Sequence, residues 1–176
     1  MIQLSTFLWG MTVLFGFIGF VRGWTKEIIA LTGVVLALFT LEQFKDVFLT
    51  PLTVGADPAQ KYYLYAGILL AISFFAYQTP DRFEKRTQRS RQIREGLQEG
   101  ILGGVIGAFN GYLIFGSLWY YMRILDYPLA PNIPAPYVST ASAALQNTLP
   151  LDWLLGGNLL TLLVVVLFLF VIVVLI

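Results

Sequence analysis

The chain has 176 residues, of which 57% are hydrophobic and only 12% charged, with a formal net charge of +1. That charged share is about half that of a soluble domain, which excludes a water-soluble globule and predicts an integral membrane protein. There is no cysteine and no histidine, so disulfides, thiolate chemistry, iron–sulfur ligation and the usual side-chain ligand of haem and zinc are excluded, and no cofactor or metal is expected.

The first apolar run, Leu4 to Val21, spans about 27 Å as a helix, close to the roughly 30 Å of a hydrocarbon core. No basic residue precedes it and Arg22 and Lys26 follow it, the reverse of a cleavable secretory signal. An outside amino terminus and a cytoplasmic turn are expected. The polar stretch Arg22 to Glu27 then interrupts two strongly apolar runs and reads as a tight elbow. On one continuous helix Arg22 and Lys26 would repel by a few tenths of a kcal/mol, whereas Gly23 tolerates a positive φ and allows a turn. Glu27 opens the second helix, where the dipole favours a carboxylate. Arg22 and Glu27 would point about 140° apart on an unbroken helix. They pair only if the chain turns at Gly23; otherwise the arginine snorkels to the head groups. Gly19 and Gly23 form a GxxxG pair that admits a close helix neighbour.

The second run, Ile28 to Leu41, covers only about 21 Å. Either the elbow contributes to the span, or the helix continues through residues 44–50 with its charges at head-group level; Thr50-Pro51 is expected to end it. A polar, turn-rich loop follows, then a third run, Tyr62 to Tyr77, bracketed by interfacial tyrosines. The next segment holds six of the eleven basic residues: Arg82, Lys85, Arg86, Arg89, Arg91 and Arg94. Thr79, Pro80 and Asp81 suit a helix start there. The arginines suit anionic lipid, but their plainest role is to orient the protein with this segment in the cytoplasm. Aromatics do not alternate with them as in a single-strand groove, so no nucleic-acid partner is expected.

The fourth run, about Leu97 to Met122, carries glycines on two adjacent rows, among them Gly100, Gly103, Gly104, Gly107 and Gly111. Such rows let backbones pack closely, and Asn110 can add an interhelical hydrogen bond. They suit a pore or moving interface, a static bundle, or a contact between copies of the chain. A loop with five prolines follows, in which residues 138–148 can form a short helix, and a fifth run begins at Leu151 or Leu159. The expectation is an all-α, polytopic membrane helix bundle of about five spans in lipid, with the carboxyl terminus in the cytoplasm. It divides into a four-span part (1–125), an external proline-rich loop (126–150) and a C-terminal span (151–176).

The elbow, with Gly19, Arg22, Gly23 and Glu27 in a G-x-x-R-G-x-x-x-E pattern, resembles the opening signature of the colicin V production protein (CvpA) family. The basic segment followed by LQEGILGGVIGAFNGYLIF extends the resemblance over Met1 to Met122. The resemblance implies a bacterial inner-membrane protein linked to toxin production or secretion and to envelope homeostasis, with no established enzymatic mechanism. The fifth run departs from the family's four-span form. Alternatives are an accessory subunit of a larger respiratory or photosynthetic complex, and a small channel or transporter component. A membrane-embedded enzyme requires a cluster of titratable groups that the sequence does not display. Proton pumping is not expected either, since Glu27 and Glu99 are the only acids near a span's interior.

Overall fold

The computed structural model describes residues 3–78, 93–129 and 140–175, and among them the chain is helix and turn without strand. Helix α1 (Leu4–Arg22) and helix α2 (Trp24–Gln43) are joined by Gly23 alone, at φ 82° and ψ 157°. A side chain would be strained at that φ. Both helix ends nevertheless keep their bonds, Gly23 N–H to Gly19 O at 2.9 Å and Glu27 N–H to Gly23 O at 3.3 Å. Residues 24–27 thus become the first turn of α2 and lengthen the short second run to 20 residues, about 30 Å. This is the elbow-side answer to its shortness.

At the other end α2 stops at Gln43, before a π-helical turn (Lys45–Leu49) and a single turn α3 (Thr50–Leu52). Pro51 does not terminate a helix here, contrary to expectation. It lies at the start of α3, where its missing N–H is not required by the helix. Helix α4 (Pro58–Tyr77) begins at a capping box: Asp57 accepts from Gln60 N–H at 2.8 Å, and the Gln60 side chain accepts from Asp57 N–H at 3.3 Å. Pro58 at the first helical position supports the same start.

Helix α5 (Ile93–Ile124) has 32 residues, about 48 Å, more than a hydrocarbon core requires. It is the hub against which α1, α2, α4 and α7 (Pro150–Leu154) pack. Pro150 sits in the notch left by Gly116, where an added Cβ would lie 2.6 Å from the proline Cγ. Helix α6 (Thr140–Leu145) occupies the expected short-helix segment, and Ser142 Oγ bonds Ser5 Oγ at the start of α1 at 3.1 Å. Gly157 and Asn158, both with φ near 60°, break the chain before α8 (Leu159–Leu175), so the later of the two expected starts is the one observed.

Val34, Leu38, Leu69, Leu113 and Leu151 centre the core, while Phe17, Val21, Phe75, Val105 and Phe168 lie on the outside. So many large apolar side chains facing outward suit lipid rather than water. Among the described residues α1, α2 and the 96–124 part of α5 are long and apolar enough to cross a membrane. The bent pair 140–154 and 156–170 makes a fourth candidate. The expected count of five also includes α4, which falls short because Gln60, Lys61 and four tyrosines dilute its apolar residues. The elbow, Tyr77 and the start of the glycine rows share one end of the bundle; Ser5, Glu42, Tyr121 and Ser142 share the other. Arg82, Lys85, Arg86, Arg89 and Arg91 lie outside the described residues, and Arg94 falls in the first turn of α5.

Candidate functional site at the elbow

The site is positioned by a seam of glycines between α1 and α5. A Cβ added at Gly19 would lie 2.9 Å from Gly107 Cα, and one at Gly103 would lie 2.8 Å from the Gly23 carbonyl carbon and 2.9 Å from Trp24 N. At Gly111 it would meet Phe15 Cβ at 2.7 Å; at Gly104, Gly16 O at 3.3 Å; and at Gly100 it would press on the Phe20 ring at 3.0 Å. Backbones this close gain dispersion contacts that side chains would prevent, which is how helices associate in lipid without a hydrophobic driving force. The glycine surface that the sequence offers to a pore, a static bundle or a second copy is therefore filled by α1 of the same chain.

The seam aims the elbow into the bundle. Glu27, in the first turn of α2, is 0% exposed. Its Oε1 accepts from Arg22 Nη1 at 2.5 Å, and its Oε2 accepts from Tyr77 Oη–H at 3.0 Å and from Asn110 Nδ2 at 2.9 Å. The same Asn110 amide also reaches Glu27 O at 3.1 Å. Arg22 in turn donates through Nη2 to Tyr77 O at 2.8 Å and lies over the Tyr77 ring, 4.6 Å from its centroid. Four helices thus converge on one carboxylate. An isolated buried charge costs several kcal/mol, which a partner and full hydrogen bonding offset. Here the cation and both neutral donors come from the chain itself.

Of the elbow and packing residues singled out in the sequence, the structure brings Gly19, Arg22, Gly23, Glu27, Gly103, Gly107 and Asn110 together at this point; Gly100, Gly104 and Gly111 extend the seam either side of it. Tyr77 joins the cluster although its place at the end of an apolar run marked it only as an interfacial aromatic. Its sequence separation of 50 from Glu27 left no local signal. Asn110 Oδ1, Ser73 Oγ and Ser117 Oγ are buried without a hydrogen-bond partner, the kind of group that ordered water satisfies.

A second polar group forms at the opposite end. Tyr121 Oη–H donates to Glu42 Oε1 at 3.0 Å, Lys45 Nζ stands 3.4 Å from Glu42 Oε2, and Arg123 pairs with Asp152 of α7. The Glu42 charge is the main reason the Lys45 ammonium titrates above its ordinary range, so this lysine is charged at physiological pH. The sequence marked none of Glu42, Tyr121 and Asp152 as a site residue.

Chemically, the elbow cluster holds charge in place. Both oxygens of the Glu27 carboxylate are engaged by donors from other parts of the chain, Oε1 by Arg22 and Oε2 by Tyr77 and Asn110. Among the described residues no group of three His, Cys, Asp or Glu side chains is placed to hold a metal ion.

Comparison with known proteins gives one family. The family model described as Colicin V production protein matches residues 4–145, a span that takes in the elbow, the glycine rows and α6 and leaves out α7 and α8. The family is not known as an enzyme family. No curated protein and no solved structure matches the chain. A membrane helix bundle whose elbow motif closes around a buried glutamate, matched over that length, belongs to the colicin V production protein family.

Proposed function

We propose that the chain is a non-enzymatic, multi-pass protein of the bacterial inner membrane that serves toxin production or secretion, or the upkeep of the envelope, as a scaffold. The observation that supports this reading is the self-closure of the elbow cluster, in which Arg22, Tyr77 and Asn110 all donate to Glu27. The site is built to hold four helices in register, and family membership supplies the cellular setting. A partner, whether a second copy or another membrane protein, meets faces other than the glycine seam, because α1 occupies it.

A scaffold makes a distinct prediction in cells that lack their own copy. Wild-type protein should restore toxin secretion, or resistance to envelope stress, and Glu27 variants should restore it in proportion to the folded protein they accumulate in the membrane. A Glu27→Gln protein present at wild-type level but without function would point to chemistry at the carboxylate and overturn the reading.

The orientation belongs to the same proposal: amino terminus outside, elbow and arginine-rich segment in the cytoplasm, proline-rich loop outside, carboxyl terminus in the cytoplasm. It rests on the basic bias of the two elbow-side segments. Single cysteines at Gln88 and Asn132 should react with impermeant reagent from opposite sides of the membrane. Labelling from the same side would reverse this topology.

A further inference from the structure

We infer that the cavity where α8 meets the end of α2 binds the head group of an ethanolamine phospholipid. The cavity has a volume of about 250 Å³ and lies between the last turn of α2, the Lys45 turn and the break that precedes α8. Glu42, Lys45, Asn158 and Thr161 give it polar walls, and Leu154 and Leu160 give it an apolar side. That volume is below the roughly 300–1,000 Å³ of pockets that enclose a whole drug-sized ligand. It suits a small polar group whose remainder lies outside.

The charges inside define the chemistry. Glu42 has a side chain only 10% exposed; one oxygen is held by Tyr121, while the other has Lys45 Nζ at 3.4 Å from a lysine side chain that is 51% exposed. A nearly buried carboxylate whose counter-ion reaches one oxygen at 3.4 Å from a half-exposed side chain can accept from a second cation that donates hydrogen bonds, and a primary ammonium is such a group. Lys45 is then free to turn to an anion beside it, with the Asn158 amide and the Thr161 hydroxyl as further donors. An acid and a base joined only by one long contact of 3.4 Å in one small cavity match a zwitterion carrying ammonium and phosphate. A quaternary ammonium has no N–H to give Glu42, and an anionic head group without an ammonium meets that carboxylate as a repulsive charge.

The surroundings select a lipid over a soluble zwitterion. The cavity sits at the end of a membrane-length helix, and its lining includes the apolar side chains of Phe39 and Leu155, the latter more than a third exposed. Along α8, which begins beside the cavity, Leu162, Val166 and Leu169 are exposed, an apolar surface on which an acyl chain can lie. Most of the wall residues named above lie beyond residue 145, where the family match ends. This site is therefore formed by the C-terminal segment docking on the family core, and it depends on the membrane location but not on the scaffold role.

Native mass spectrometry of the full-length protein, released from nanodiscs of equal parts ethanolamine, choline and glycerol phospholipid, tests the assignment. One ethanolamine lipid should be retained at least fivefold over either competitor. Glu42→Gln, which keeps an acceptor for Tyr121, and Lys45→Gln should each abolish that preference, and Thr161→Trp should do so by filling the cavity without altering charge. Equal retention of the three lipids by wild-type protein would overturn the proposal whatever the variants do. So would unchanged selectivity in all three variants with wild-type thermal melting. Displacement of the lipid by free phosphoethanolamine at equal concentration would also overturn it, by showing that the site reads a soluble zwitterion.

Discussion

Gly19→Leu is expected to cost about 3 kcal/mol or more, the upper end of overpacking penalties, and to leave little folded protein in the membrane. The first atom of the new side chain would already lie 2.9 Å from Gly107 Cα, and backbone cannot move aside as a flexible side chain can. Gly107→Leu should do the same from the other side of the seam. Gly10→Leu provides the contrast: an added Cβ there has nothing within 4 Å, and the loss of a helical glycine favours the helix by up to about 1 kcal/mol. Thermal melts of the three variants in detergent decide the matter. If Gly19→Leu and Gly107→Leu melted with the wild type, α1 and α5 would not be held by backbone contact. Because the seam lies within one chain, the defect should appear in the monomer and not only in assembly.

The second large effect is expected at the elbow. Arg22→Ala leaves Glu27 fully buried without its cation, a situation that costs about 3–5 kcal/mol. Glu27→Ala removes the shared acceptor of Arg22, Tyr77 and Asn110. A buried donor deprived of its acceptor costs about 1–3 kcal/mol. Arg22, with a side chain 19% exposed, can still turn toward head groups, so the loss falls mainly on Tyr77 and Asn110. In the double variant each missing charge removes the other's penalty, so the combined loss should fall short of the sum by about 0.5–3 kcal/mol. Tyr77→Phe deletes one donor to the carboxylate and should cost about 1.5–3 kcal/mol. Strict additivity of Arg22→Ala and Glu27→Ala would mean that the arginine snorkels independently and that the short contact does not hold the elbow.

The elbow shows how far local sequence reaches. Gly23 between two charged residues and two apolar runs is enough to predict a turn, because only glycine relieves both the like-charge repulsion and the positive φ. That turn permits the pairing of Arg22 with Glu27, since helical geometry otherwise separates them, but it is the structure that selects the pair over a snorkelling arginine. The depth of Glu27 does not follow. As the fourth residue of a helix at a span's edge it reads as interfacial, and it is buried only because α4 and α5 bring Tyr77 and Asn110 over it. The glycine rows behave in the same way: their period marks a contact face on α5, but nothing in that period distinguishes α1 of the same chain from a neighbouring molecule.

By itself the sequence determined the membrane class, the long apolar helices, the turn at Gly23 and the family resemblance, because these rest on composition, on the length of apolar runs and on residues a few positions apart. Tertiary structure alone decided the rest. It chose the partner of the glycine face, completed the polar cluster with a tyrosine 50 positions from Glu27, and joined Glu42 to Tyr121 and Arg123 to Asp152. The α7–α8 break was also placed on the end of α2, where it encloses a cavity. In lipid the apolar faces of helices are nearly equivalent, so hydrophobicity places each helix in the membrane without choosing its neighbour. Close backbone fit and the satisfaction of buried polar groups make that choice, and both depend on pairs of residues far apart in the chain.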